Sequence, residues 1–391
     1  MINIEIKGVQ FSNKGAELML LSILAQLEKE LGEYNLVLSP GPNLPYKMRA
    51  KLGAFQKLSF RRGPLDLTGI FGKLPHFIKR LLKRYGIVTE ADVDVILNAS
   101  GFSYGDQWPL NDLKNAAKEA VRFKKAGKPY ILLPQALGPF TKVDHAKAAH
   151  LMINSSTKVY ARDRISFQAC KVLNENGCLE LSPDFTALIE PKIIEPFDNK
   201  TVCFIPNNKV VSKYHNEEAQ GDIDKYVAFW RNQAEIFIKY GFDVILLNHE
   251  GEEDKLLCNK IAEAIEGDIQ IVDTLEAIEI KAFLGGCHAV VSSRFHGCVS
   301  ALSQGIPCLA TSWSHKYEML FEEYGLIDNV IDFKCEKDVV EDKLINFINT
   351  LKEQSVVCLQ VSNEVKEKNI RMWKSVISLI KTPLIDTKIS H

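Results

Sequence analysis

An arginine and a histidine stand two positions apart in SSRFHGCVSALSQGIP, residues 292–307. A guanidinium grips oxyanions through a planar fork and an imidazole carries a proton near neutral pH, so Arg294 and His296 together could hold an anion and hand it a proton. The apolar, β-branched AVVSS before them (289–293) reads as a strand, and GCVSALSQG after them as a helix starting at Gly297, with Gly305 as its stop and Pro307 just beyond. A turn between strand and helix lies at the carboxyl edge of a parallel sheet, where free helix N–H groups favour anions. Lys316, just past the next strand, brings a further cation to that edge. The plain alternatives are a carboxylate partner for Arg294 and a satisfied core position for His296.

Such a site needs parallel strands that end together, and the chain supplies them. INIEIKGV, NLVLSP, VDVILNAS, PYILLPQ and KVYAR are short apolar runs separated by helical stretches such as AELMLLSILAQLEKEL and PLNDLKNAAKEAVRFKKAG. EPKIIEPFDNK, around residues 190–200, interrupts the alternation with two prolines and mixed charge, as a linker does. TVCFIP, DVILLNHE, IQIVD, AVVSS and CLATSW then repeat it. Strands apolar on both faces that alternate with helices predict an α/β fold of two Rossmann-like domains facing a cleft. The expected boundaries are residues 1–192, with a basic insertion at about 41–90, then 200–360, and a last helix in 361–391 crossing back to the first domain.

Composition narrows the function. The 391 residues, 46% hydrophobic and 25% charged, describe a soluble globular chain, and its formal charge of -1 argues against nucleic acid as a partner. Nine cysteines without a C-x-x-C pair suggest reduced thiols rather than disulfides or zinc. The N-terminal MINIEIKGVQ alternates like a strand instead of carrying a basic patch and an apolar run, and no run of eighteen apolar residues occurs, so the expectation is a cytoplasmic protein. No G-x-G-x-x-G follows the first strand, and HEGEED (249–254) reads as acids at a helix N-terminus, so neither cofactor nor metal is expected. One span departs from the average: Lys47 to Arg84 holds eleven Lys and Arg against Asp66 alone. Within it LPHFIKRLLKRYGI is a basic amphipathic pattern, which fits either a surface helix packed on the core or peripheral contact with an anionic membrane.

RFHGCVSALSQGIPC followed by HKYEMLFEEYGL resembles the polysaccharide pyruvyl transferase family, whose members are similar to two-domain GT-B folds. NKGAELML near Asn13 and Gly15, NASGFSYGD around Gly101, PQALGP with Gln135, ARDRIS and SPD extend the resemblance over roughly 320 residues. It implies transfer of a pyruvyl unit from phosphoenolpyruvate to two hydroxyls of a sugar, on a polysaccharide or a lipid-linked precursor, giving a cyclic ketal and phosphate. The donor's phosphate and carboxylate call for several cations. The resemblance points to Arg162 alongside Arg294, Lys316 and the Gly297 amide. His296 is the expected proton carrier to the vinyl carbon. Asp106 stands as a carboxylate for the developing cation or the acceptor hydroxyl, or else as a cap for the helix near Pro109. Asn13, Gly15, Gly101 and Gln135 fall to acceptor-side loops. Asp163 and Asp184 read as a cap or salt bridge near Arg162. Where relatives show N-x-G-D this chain reads NKGAE, leaving Glu17 as the substitute acid. A nucleotide-sugar glycosyltransferase and a non-catalytic, membrane-associated assembly protein are the competing functions.

Overall fold

The computed structural model describes residues 1–62, 65–192, 196–211, 223–311 and 314–389. Two compact units divide the chain: Met1–Phe11, Met19–Phe185 and the stretch from Lys368 onward form the first, while Ser12–Leu18 and Thr186–Glu367 form the second.

The first unit carries β1 (Ile2–Lys7), β2 (Tyr34–Leu38), β3 (Phe55–Lys57), β4 (Arg61–Arg62), β5 (Leu65–Asp66), β6 (Ile87–Val88), β7 (Val95–Asn98), β8 (Tyr130–Gln135), β9 (Lys158–Ala161) and β10 (Leu179–Leu181). All but the short β4–β5 hairpin form one eight-stranded parallel sheet in the order β10-β9-β8-β7-β1-β2-β3-β6. Its helices are α1 (Lys14–Leu31), α2 (Tyr46–Lys51), α3 (His76–Arg84), α4 (Leu110–Lys125), α5 (Val143–Ser155) and α6 (Arg164–Lys171). β7 and β8 are buried along their whole length, as helices on both faces require. One core cluster gathers Ile96, Tyr130 and Leu132 with Phe123 of α4 and Met152 of α5. The edge strands β6 and β10, and β3 beside β6, are two or three residues long, too short to leave a periodic signal in sequence.

The second unit carries β11 (Thr201–Ile205), β12 (Asp243–Leu247), β13 (Gln270–Val272), β14 (Ala289–Ser292), β15 (Cys308–Thr311) and β16 (Val330–Ile331) in the parallel order β13-β12-β11-β14-β15-β16. Its helices are α7 (Ile223–Lys239), α8 (Gly251–Ala264), α9 (Ala277–Gly285), α10 (Phe295–Leu302), α11 (His315–Glu323) and α12 (Lys337–Asn349). Successive residues of β11 serve opposite faces. Val202 and Phe204 pack with Trp230, Phe237 and Phe347, whereas Cys203 and Ile205 pack with Phe295, Leu302 and Tyr317. Two parallel-sheet α/β domains are thus what the alternating pattern predicted.

Two helices are shared between the units. The first turn of α1 belongs to the second unit and the rest to the first, while α13 (Leu351–Ile389) passes from the second unit into the first at Lys368. The division after Phe185 falls a few residues ahead of the proline-bearing stretch at 190–200, because Thr186 onward already packs with the second sheet, where its carbonyl accepts from Lys281.

Candidate functional site

β14 delivers Arg294 and His296 to the carboxyl edge of the second sheet. The helix begins at Phe295, two residues before the expected Gly297, so Arg294 is the N-cap of α10 and His296 lies in its first turn. Gly297 lies in the same first turn. It is also a packing position: a Cβ there would come within 2.6 Å of Ser292 Oγ and 2.9 Å of Ile205 Cδ1.

Arg294 is buried, and its charge is matched by carboxylates. Nε donates to Asp254 at 3.0 Å, Nη2 also reaches Asp254, and Nη1 reaches Glu250. Burial disfavours the guanidinium charge, but Asp254 and Glu250 outweigh that and push its pKa up. The plain alternative for Arg294, a carboxylate partner, is therefore what the geometry contains, and both acids come from HEGEED. Glu250 caps α8, Asp254 lies in its first turn, and the Asp254 carboxylate also accepts the amide of Asn208.

Glu250 ties the ends of three helices together. Besides Arg294, the cap of α10, it accepts from Asn13 Nδ2 at 3.1 Å and from Lys209 Nζ at 3.1 Å. Asn13 is itself the cap of α1, its Oδ1 accepting from the Ala16 amide. The positive ends of α1, α8 and α10 thus come together, which favours an anion beside them.

Gly15, in the first turn of α1, lies flat against His296. A Cβ on Gly15 would fall 2.2 Å from Nδ1 and 2.8 Å from Cγ of the imidazole. No side chain fits, so the glycine fixes how closely α1 approaches α10. The other edge of the ring meets Phe295, whose face is shared with Lys316 Nζ at 5.4 Å from the ring centroid. Beside Gly15, Lys14 bridges Glu17 at 2.9 Å and Glu276 at 2.7 Å, and burial pushes the Glu17 carboxyl up against the opposing pull of Lys14. Glu276 caps α9, two residues after Thr274, a β-branched residue held at φ 72.

His249 is the member that sequence reasoning passed over. Its ring is buried with Nδ1 unpaired, and burial followed by Arg294, His296, Lys14 and Lys209 pushes its pKa well below the usual histidine range. The signal was present in HEGEED, which carries more acids than one helix start needs. What a linear reading lacked was the knowledge that Arg294, some forty positions away, uses two of them.

The remaining expected residues gather at the carboxyl edge of the first sheet. The Gly101 carbonyl accepts from Ala136 N at 2.8 Å, and the Gln135 carbonyl accepts from Arg162 N at 3.0 Å, so the ends of β7, β8 and β9 are laced together. Gly101 has φ 68, a backbone that favours glycine. Gln135 spends its Nε2 hydrogens on the Asn98 and Leu133 carbonyls. Arg162 pairs with Asp184 at 3.1 Å, both buried, and Asp163 caps α6 through the Ser166 amide. Asp106 accepts from Thr141 N at 2.7 Å, Thr141 Oγ1 at 2.6 Å and Lys142 N at 3.3 Å. Burial opposes its charge, but these donors together outweigh it and hold its pKa down. It therefore braces the chain entering α5, not the helix start at Pro109, and a carboxylate so stabilised is a weak base.

The family model described as polysaccharide pyruvyl transferase matches residues 13–315, from the cap of α1 through Arg294 and His296 to the start of α11. The chain belongs to the polysaccharide pyruvyl transferase family. A curated relative, the amylovoran biosynthesis protein AmsJ of Erwinia amylovora, is 18% identical over 279 residues, 66% of this chain and 66% of its own length. Among solved structures, the UDP-GlcNAc 2-epimerase of Neisseria meningitidis matches at TM-score 0.56 and 10% identity over 95% of this chain and 100% of its own. The spinosyn rhamnosyltransferase SpnG matches at TM-score 0.56 and 12% identity, over 96% and 100%. These two likenesses show the fold alone: the pyruvyl transferase family member shares the GT-B-like architecture with glycosyltransferases and epimerases.

Proposed function

We propose that this protein transfers a pyruvyl unit from phosphoenolpyruvate to a sugar of a polysaccharide or its lipid-linked precursor, forming a ketal and releasing phosphate. The observation that carries the reading is the knot of helix ends around Glu250 with His296 beside it, an anion-favouring corner with a proton carrier on its rim. The donor is a small, doubly acidic molecule. Its oxyanions would meet the first-turn amides of α10, including that of Gly297, and displace Glu250 from Arg294, with Lys316 and Lys14 supplying further positive charge. Arg162, paired with Asp184, is a further cation assigned to the donor.

His296 donates its proton to the terminal vinyl carbon, making a methyl group and leaving the adjacent carbon electron-poor. A sugar hydroxyl adds to that carbon, the carbon–oxygen bond to phosphate breaks, and a second hydroxyl closes the ring. One hydroxyl proton restores the histidine and the other leaves with phosphate. The described cysteines are all free thiols, which fits work in a reducing, cytoplasmic setting.

The test is phosphate release from phosphoenolpyruvate with candidate glycans, read together with the mass of a pyruvyl ketal on the product. His296→Gln should lower turnover by about 10²–10⁴ while leaving the fold intact. Release of a nucleoside diphosphate from a sugar nucleotide, with no use of phosphoenolpyruvate, would overturn the assignment in favour of glycosyl transfer.

A further inference from the structure

The basic segment contains a helix that buries nothing. No residue of α3 is buried, whereas α4 and α7 each sink Ala, Phe or Trp side chains into a core. Ile78 and Leu82 are half-buried and face inward. Phe77, Leu81 and Tyr85 point outward, 72%, 53% and 76% exposed. With Arg80 and Arg84 they occupy positions i, i+3, i+4, i+7 and i+8, one face of a helix, so apolar and cationic side chains share the solvent side instead of segregating. This departs from an ordinary surface helix, whose apolar stripe packs on the core. Tyr46, Phe60 and Ile70 of the same segment are also exposed. Lys73, Arg80, Lys83 and Arg84 are exposed and form no ion pair among the described residues, and α3 contains no acid.

We propose that α3 docks this protein on an anionic lipid surface. Nine residues span about 14 Å, so α3 would lie along the interface and not cross it. Phe77 and Leu81 would enter the acyl boundary, Tyr85 would sit at headgroup depth, and the arginines would extend to lipid phosphates along their own alkyl stems. Charge decides the occupant: an unpaired cationic face interleaved with aromatic and aliphatic side chains complements an anionic bilayer, while another copy of the same face would repel it. The inference is independent of the donor chemistry, since none of these residues belongs to the corner around Glu250.

Flotation with phosphatidylglycerol–phosphatidylcholine vesicles, against pure phosphatidylcholine, tests the docking. Binding is expected to the anionic vesicles and to fall steeply with added salt. Arg80→Gln, Lys83→Gln and Arg84→Gln combined should weaken it roughly a hundredfold, at about fivefold per charge. Phe77→Ser with Leu81→Ser should abolish what salt resistance remains, with the thermal midpoint unchanged because both side chains are exposed. A Phe77→Trp variant should show a blue-shifted emission on adding anionic vesicles. No binding at low salt, or variants that bind like the parent chain, overturns the proposal. So does a Phe77→Ser, Leu81→Ser variant that only converts a dimer to a monomer, since the face would then cover a second copy.

Discussion

A single missing atom governs the candidate site. Because Gly15 has no Cβ, the first turn of α1 can press against the His296 ring, and Gly15→Ala must push one or the other aside. Displacement of a catalytic group by about 1 Å can cost about a hundredfold, so Gly15→Ala should lower turnover by that order while leaving circular dichroism and the melting midpoint little changed. Near-normal turnover would separate Gly15 from the chemistry. His249 makes a pH prediction. It is neutral in the fold because burial and the nearby Arg294, His296, Lys14 and Lys209 hold its pKa well below the usual histidine range, whereas in the unfolded chain it titrates normally. Below about pH 6.5 the unfolded state therefore binds the extra proton, and acidification costs about 1.4 kcal/mol of stability per pH unit until the folded group also protonates. Melting temperatures from pH 7.5 down to 5 should fall more gently in His249→Gln than in the parent. Parallel slopes would show that other groups dominate the acid limb. Arg294 and His296 were legible from type and position, but the acids that hold Arg294 and the buried His249 were not, since pairing across forty residues leaves no local mark.

Elements were legible where they are long and apolar. The ten main strands and the helices between them follow from periodicity, while β3, β6, β10 and β16 escape it because two or three residues carry no period. The start of α10 lies at Phe295 and not Gly297 because strand and helix are both apolar there, so only the backbone geometry separates them. The first sheet also hides an ion cluster that no pattern announced. Lys57 of β3 is buried with its Nζ 2.6 Å from Glu5 of β1 and 3.0 Å from Glu119 of α4, and Lys7 also reaches Glu119. Burial disfavours its charge, yet Glu119 and Glu5 push its pKa up. Lys57→Met would leave Glu5 without its cation, and Glu119 with Lys7 alone, in a low-dielectric interior and should cost about 3–5 kcal/mol in urea unfolding. A loss under 1 kcal/mol would mean that water reaches the cluster. Lys57 is one of the eleven cations of the basic segment and is spent internally, as is Arg49, which donates to Leu44 O and Gln56. Formal charge therefore overstates what the segment presents to solvent.

At the scale of the whole chain, α13 joins both units. Beyond Lys368 its Trp373 packs edge-on against Phe185 with centroids 6.1 Å apart, and Asn369 donates to the Asp184 carbonyl beside Arg162. Trp373→Ala should cost about 3–5 kcal/mol and lower the melting of the first unit in calorimetry, with the second less affected. Equal loss in both transitions would show that the units melt as one. No described helix is long and apolar enough to cross a membrane.

By itself the sequence determined the α/β class, the two parallel sheets, the family, and the edge on which Arg294 and His296 stand. Burial pattern and turn chemistry are written along the chain, and strand ends in a parallel sheet all point one way. Only the tertiary structure decided that Glu250 fastens three helix ends, that Gly15 abuts His296, and that Phe77 and Leu81 of α3 face water. Each depends on which distant backbone arrives at a given place, and that is set by packing the whole sheet.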